Sequence, residues 1–144
     1  ILSDEGGGVD IGKRVVKSYV EGYMPAELRE RFDFRYELTV DDILENMYKK
    51  PLPNRFLASF SKFAYHHREK PFMAELINQS FQQYFDTKIL RFEATELPVN
   101  LVGSIAFYYQ EYIRKIGAER GFKIGNILEK PIAGLTLDHT ELAQ

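Results

Sequence analysis

Two carboxylates and three glycines, Ser3-Asp4-Glu5-Gly6-Gly7-Gly8, stand directly ahead of an apolar stripe with helical spacing. Glycine lets backbone approach a ligand closely and take positive φ. Unpaired N–H groups at a helix start favour a polar or anionic group. Asp4 and Glu5 add acceptors suited to sugar hydroxyls or to a metal. The same six residues also make an ordinary solvated acidic turn, and a motif this short does not decide between the two. Gly7, Gly12 and Lys13 have the spacing of a phosphate-binding loop, but Arg14 stands where that loop needs Ser or Thr for magnesium. Val9, Ile11 and Val15 read instead as core residues of a helix already under way, so no phosphate loop is expected.

Gly103-Ser104 follows a short apolar run and precedes a helical pattern. Ligands of open α/β folds gather beyond the carboxyl ends of strands. A glycine there lets a flat base lie against backbone, and Ser104 can cap the helix or bond a ligand. Both residue types are also common in plain turns and caps. In Tyr65-His66-His67-Arg68 the adjacent histidines point in different directions on a helix, whereas metal ligands are better placed at i and i+4. A cationic helix end, favoured by the dipole, is the reading adopted. His139 is solitary. Asn78-Gln79-Ser80 matches a glycosylation acceptor but falls within a predicted helix. The Phe and Tyr residues recur at helical spacing and read as core packing.

Helices must position these groups. Ile11, Val15, Val16, Tyr19, Val20 and Tyr23 form one helical stripe, and Pro25 to Phe32 reads as a short helix. Thr39 is a cap ahead of Asp41 and Asp42. Pro51-Leu52-Pro53 breaks the chain and Asn54 is expected to cap the next helix, with Phe56, Leu57, Phe60, Phe63 and Ala64 on one side. Another helix starts near Pro71 and runs through Phe72, Leu76, Phe81 and Phe85. Leu97 to Val102 suits a buried parallel strand. A helix from Gly103-Ser104 carries Ile105, Tyr109, Tyr112, Ile113 and Ile116 inward, Gly121 ends it in a left-handed cap, and Phe122 to Leu128 is a second strand. Ile1-Leu2 reads as a strand end and Pro131 as the start of a last helix.

The chain has 144 residues, a net charge of −2 and no cysteine. That excludes disulfides, thiolate metal sites and cysteine nucleophiles within these residues. The charge gives no reason to expect binding to nucleic acid or to a membrane, and no apolar run is long enough to span a bilayer. A reduced, cytoplasmic protein is the expected setting. Two parallel strands leave unpaired edges, so something must complete the sheet. With a chain opening at Ile1 and entering the glycine-rich turn at once, this predicts a domain cut from a longer protein, its amino-terminal lobe upstream.

The order of features, an acidic glycine-rich turn, a long helical insert and a strand ending in Val-Gly-Ser, resembles the carboxy-terminal lobe of bacterial N-acetylglucosamine kinases. The matching stretches are ILSDEGGGVDIGKR, PNRFLASFSKF and LPVNLVGSIAFYYQEYI, and the resemblance spans essentially the whole chain. It implies an α/β, ribonuclease H-like lobe of the actin-like ATPase superfamily. This lobe is mostly helical, with an insert over roughly 25–90 and a small parallel strand–helix–strand unit over roughly 97–128.

The resemblance also implies roles. Asp4 matches the aspartate that contacts sugar hydroxyls and Gly6 shapes that turn. Ser59 falls where relatives place a small residue beside the nucleotide. Gly103 and Ser104 match the adenosine-binding turn, with Tyr108 one helical turn on. Relatives commonly carry glycine at the position of Ser3 and serine at that of Gly7, a swap placed to alter sugar preference. ATP and Mg2+ are the implied cofactors and an amino sugar the substrate, phosphorylated at its 6-hydroxyl. The catalytic base and phosphate loops belong to the missing lobe, so this chain alone is expected to be inactive. A second copy of the chain is a further candidate partner. Two other functions fit the same fold: the ATPase lobe of a dehydratase or reductase activator, whose relatives carry cluster-ligating cysteines absent here, and a non-catalytic interaction module.

Overall fold

The computed structural model describes residues 7–49, 53–89 and 97–130. The chain divides into two compact units between Tyr84 and Phe85. The strand end expected at Ile1-Leu2, most of the acidic turn and the helix expected from Pro131 lie outside the described residues.

The first unit is helical. Helix α1 (Gly8–Val20) buries Ile11, Val15, Val16 and Tyr19 on one face, as the apolar spacing predicts. Because α1 is already helical at Gly12 and Lys13, the phosphate-loop spacing there is a coincidence of helix composition. Gly12 has a packing role instead. A β-carbon added to it would lie 1.8 Å from the carbonyl oxygen of Leu57 in α4 (Pro53–Ala58), so the two helices meet at backbone distance. Glycine costs a helix interior about 1 kcal/mol against alanine, and the close approach is what that cost permits. Asp10 is nearly buried and satisfied: it accepts from Arg14 Nε at 2.8 Å and from the buried Ser80 hydroxyl of α6 (Pro71–Tyr84).

Helix α2 (Ala26–Tyr36) runs four residues beyond the predicted end at Phe32. Its Phe32 ring is fully buried, stacks on Tyr19 and Phe60 with centroids 4.2 and 5.6 Å away, and meets Phe63 edge-on. Each buried ring of this kind contributes about 1.5–3 kcal/mol of apolar transfer. Helix α3 (Val40–Tyr48) begins with the cap expected at Thr39, completed into a reciprocal pair. The Thr39 hydroxyl accepts from the Asp42 N–H, and the Asp42 carboxylate accepts from the Thr39 N–H.

Two expectations fail in the next segment. Asn54 does not cap α4, because the helix already begins at Pro53, whose fixed φ suits the first helical position. The single helix expected through Ala64 is two, α4 and α5 (Ser61–His66). The break has a local cause. The Ser59 hydroxyl donates to the Phe56 carbonyl, the Ser59 N–H is shared between Arg55 and Phe56, and the Phe60 N–H bonds Leu57 three residues back. Serine competing for backbone carbonyls in this way tightens and ends a helix.

In the second unit a single π-helical turn (Phe85–Ile89) precedes strand β1 (Pro98–Val102), helices α7 (Ser104–Tyr108) and α8 (Gln110–Glu119), and strand β2 (Lys123–Leu128). The two strands pair in parallel, Pro98 opposite Lys123 and Val102 opposite Leu128, which is the strand–helix–strand arrangement read from the sequence. The register slips by one residue in β2 between Val99 and Leu101. There Gly125 leaves room for the Asn100 carboxamide, whose oxygen accepts from the Asn126 N–H at 2.8 Å, so the bulge does not orphan that donor. Helix α8 buries Ile113 and Ile116, with Gly117 packed close on Ile124. It ends as predicted at Gly121, φ +82°, with the Phe122 N–H reaching back to the Gly117 carbonyl at 2.8 Å. The buried strand expected over 97–102 is corrected: Pro98, Asn100 and Val102 are exposed, and Val99 and Leu101 are half-buried. Within the second unit helices α7 and α8 pack on the pair, and the alternation of exposed and half-buried residues along β1 is that of a strand apolar on one face and not on both.

Candidate functional site

The strand end after β1 is built around Gly103. Its φ of +141° and ψ of 153° lie in a region open essentially to glycine alone. At these angles its N–H donates to the Leu128 carbonyl at 2.8 Å, and its carbonyl accepts from the Phe107 N–H at 3.0 Å. One residue thus extends the pairing with β2 and opens α7. Among the described residues a β-carbon added at Gly103 would meet nothing within 4 Å. The glycine is therefore required by the backbone angles and not by crowding from those residues.

Gly103 holds the cap position itself and Ser104 is the first helical residue, exposed. This corrects the sequence alternative in which Ser104 caps the helix. Helix α7 stops after five residues because Tyr109 leaves helical angles, and its buried ring anchors the bend before α8. The bend leaves Tyr108 half-exposed, with its hydroxyl donating to Glu129 Oε2 at 2.9 Å. Glu129 directly follows β2, so the ends of both strands contribute to one edge. Sequence reasoning missed Glu129. The rule that ligands collect beyond strand carboxyl ends was applied to the first strand, and its application to the second would have found it.

Gly103, Ser104 and Tyr108 are therefore brought together within five residues of turn and helix, with Glu129 joined to them by a hydrogen bond. Chemically this is an open backbone face, a hydroxyl, a phenol edge and a carboxylate acceptor. That set suits a flat ring carrying vicinal hydroxyls. Ser59 belongs to the first unit, exposed at the end of α4, where its own hydroxyl serves the helix break. Asp4 and Gly6 lie outside the described residues. In the first unit a cleft of about 480 Å³ lies between α1 and α6, lined by Lys13, Lys17, Tyr23, Phe72 and Glu75 among others. It contains none of the residues read from the sequence as a site.

His66 ends α5 and His67 holds its C-cap position, so the segment lies at a helix carboxyl end as the sequence reading has it. The His67 N–H bonds the Phe63 and Ala64 carbonyls, and Arg68 donates to the Tyr65 carbonyl. Among the described residues no three His, Asp or Glu side chains gather as a metal would need, and no helix is long and apolar enough to cross a membrane.

No protein-family profile matches the chain, and no curated protein matches it. A solved structure does. The whole chain is similar, at 38% identity and a TM-score of 0.91, to a putative N-acetylglucosamine kinase from Porphyromonas gingivalis. The chain spans 51% of that protein's length. The resemblance read from the sequence is thus matched by a solved structure.

Proposed function

We propose that the chain is the carboxy-terminal lobe of a two-lobed, ATP-dependent kinase of the ribonuclease H-like, actin-like ATPase superfamily, acting in the cytoplasm on N-acetylglucosamine at its 6-hydroxyl. The observation that carries this reading is the likeness over the full chain to half of the Porphyromonas gingivalis protein. The strand-end geometry agrees with it, since an open glycine face with hydroxyl and carboxylate neighbours suits adenosine.

In this reading residues 25–90 are the helical insert and 97–128 the nucleotide-side unit. Asp4 accepts from the sugar hydroxyls and Gly6 shapes the turn that presents it. Ser59 borders the nucleotide. The adenine lies over Gly103, flanked by Ser104 and Tyr108, and Glu129 accepts from the ribose hydroxyls. The sugar oxygen attacks the γ-phosphorus, the bond to ADP breaks, and the hydroxyl proton passes to a base in the other lobe. Mg2+ bound with ATP would neutralise charge on the transferring phosphates. The part of this chain is to bind and orient. Closing two lobes over both substrates excludes water and limits ATP hydrolysis.

The test is ADP release by the intact protein with and without N-acetylglucosamine, followed by phosphorus NMR of the product. Sugar-dependent turnover to a 6-phosphate is expected, and Asp4→Ala removes it while leaving most ATP affinity. Absence of turnover with any amino sugar, with stimulation by a protein partner or with no ATP binding at all, overturns the kinase reading.

A further inference from the structure

The Tyr65-His66-His67-Arg68 segment is not absorbed by the proposed function, and it faces a second cationic element. Arg31, Phe34 and Arg35 share one face of α2, three and four residues apart. With Glu30 and His67 they line a cleft of about 430 Å³ within the first unit. Phe34 is 89% exposed there, the most exposed of the large apolar side chains described. Its phenyl ring shares the cleft with the two guanidiniums.

The cations are held in place. Arg35 lies over the Tyr36 ring at 5.3 Å and contacts His66 Nδ1 at 2.9 Å. Arg31 keeps a 3.6 Å contact with Glu27, too long for a hydrogen bond, while Lys70 holds the same carboxylate at 2.7 Å. Burial, and then Arg31, hold the His67 imidazole below its ordinary value. His66 and Arg35 act the same way and Glu69 opposes them. The cleft lining carries two permanent cations, Arg31 and Arg35, one carboxylate in Glu30, and a histidine whose hold on a proton is weakened by burial and then by Arg31.

We propose that this cleft is a binding site for a phosphomonoester, with Arg31 and Arg35 holding the phosphate and the Phe34 ring covering the organic part. Two planar forks one helical turn apart match a tetrahedral dianion better than a single carboxylate does. The bound dianion offsets the Arg31 and Arg35 charges at His67 and so favours protonation of its ring, which adds a third donor. The site lies in the first unit alone and does not rest on the kinase reading.

The test follows the His67 ring proton by NMR in the full chain during titration with inorganic phosphate and with glucose 6-phosphate. Both give a saturable shift at constant ionic strength, the ring-bearing ester binding more tightly, and Phe34→Ala removes that advantage alone. Arg31→Gln and Arg35→Gln each weaken binding by about tenfold. Arg31→Lys keeps the charge on an exposed position but loses the fork, and weakens binding less. Sulfate, which does not titrate in this range, binds more tightly as pH falls through the imidazole range, and His67→Gln abolishes that dependence. The proposal is overturned if chloride at equal ionic strength reproduces the shift. It is equally overturned if the two glutamine variants, with an unchanged amide spectrum, bind inorganic phosphate and glucose 6-phosphate as tightly as the parent.

Discussion

The Tyr108 hydroxyl donates to Glu129 Oε2 across 2.9 Å, tying the helix after β1 to the residue after β2. The bond spans the carboxyl ends of the only two strands described, where an α/β fold places its ligands. Tyr108→Phe removes the donor and frees the carboxylate from its position without disturbing the buried Tyr109 anchor. ATP affinity of the intact protein falls by about fivefold, the worth of one hydrogen bond, with sugar affinity unchanged. Glu129→Gln gives a loss of similar size. Calorimetric titration with each ligand checks both, and equal losses for sugar and nucleotide would sink the assignment.

Gly103→Ala forces a β-carbon onto backbone angles that L-residues avoid, although no described residue crowds it. The cost is about 1–3 kcal/mol of stability, read as a lowered midpoint in urea unfolding. Either the turn relaxes and the Leu128 and Phe107 hydrogen bonds weaken, or the strain persists. ATP affinity drops in both cases. A variant as stable as the parent contradicts the observed φ.

Gly12→Ala places a methyl group 1.8 Å from the Leu57 carbonyl, and backbone cannot swing aside as a side chain can. Helices α1 and α4 must separate, at a cost of about 1–3 kcal/mol for an overpacked core. The exposed neighbour Lys13→Ala changes stability by less than about 0.5 kcal/mol. Thermal unfolding of the pair distinguishes a packing role for Gly12 from a loop role.

The Tyr36 hydroxyl is buried and has no hydrogen-bond partner among the described residues, and burial raises its pKa. Removing an unsatisfied polar atom relieves a desolvation cost of about 1–3 kcal/mol. Tyr36→Phe therefore stabilises the protein while keeping the ring contacts with Phe32 and Phe60. Loss of stability in this variant would mean that the hydroxyl has a partner.

Much of this architecture is legible in the linear chain because its determinants are local. The α1 stripe, the Thr39 cap and the left-handed end at Gly121 follow from residue spacing and single-residue backbone preferences. They need no knowledge of what packs against them. The parallel strand–helix–strand unit is legible for the same reason, as two apolar runs separated by a helical pattern. The division of the expected 54–64 helix was not legible, because apolar spacing continues through Ser59 and only the competition of its hydroxyl for a carbonyl ends the turn.

Tertiary structure decided what each residue is for. Gly7, Gly12 and Lys13 spell part of a phosphate loop, yet Gly12 is glycine because Leu57, distant in sequence, brings its backbone to that spot. Glu129 carries no motif, and only the parallel pairing of β1 with β2 sets it beside Tyr108. Arg31 and His67 share a cleft because α2 and α5 pack against one aromatic core. Sequence fixes short-range preferences through backbone sterics and side-chain periodicity. Sites arise from contacts between residues far apart in the chain, and those are set by how the elements pack.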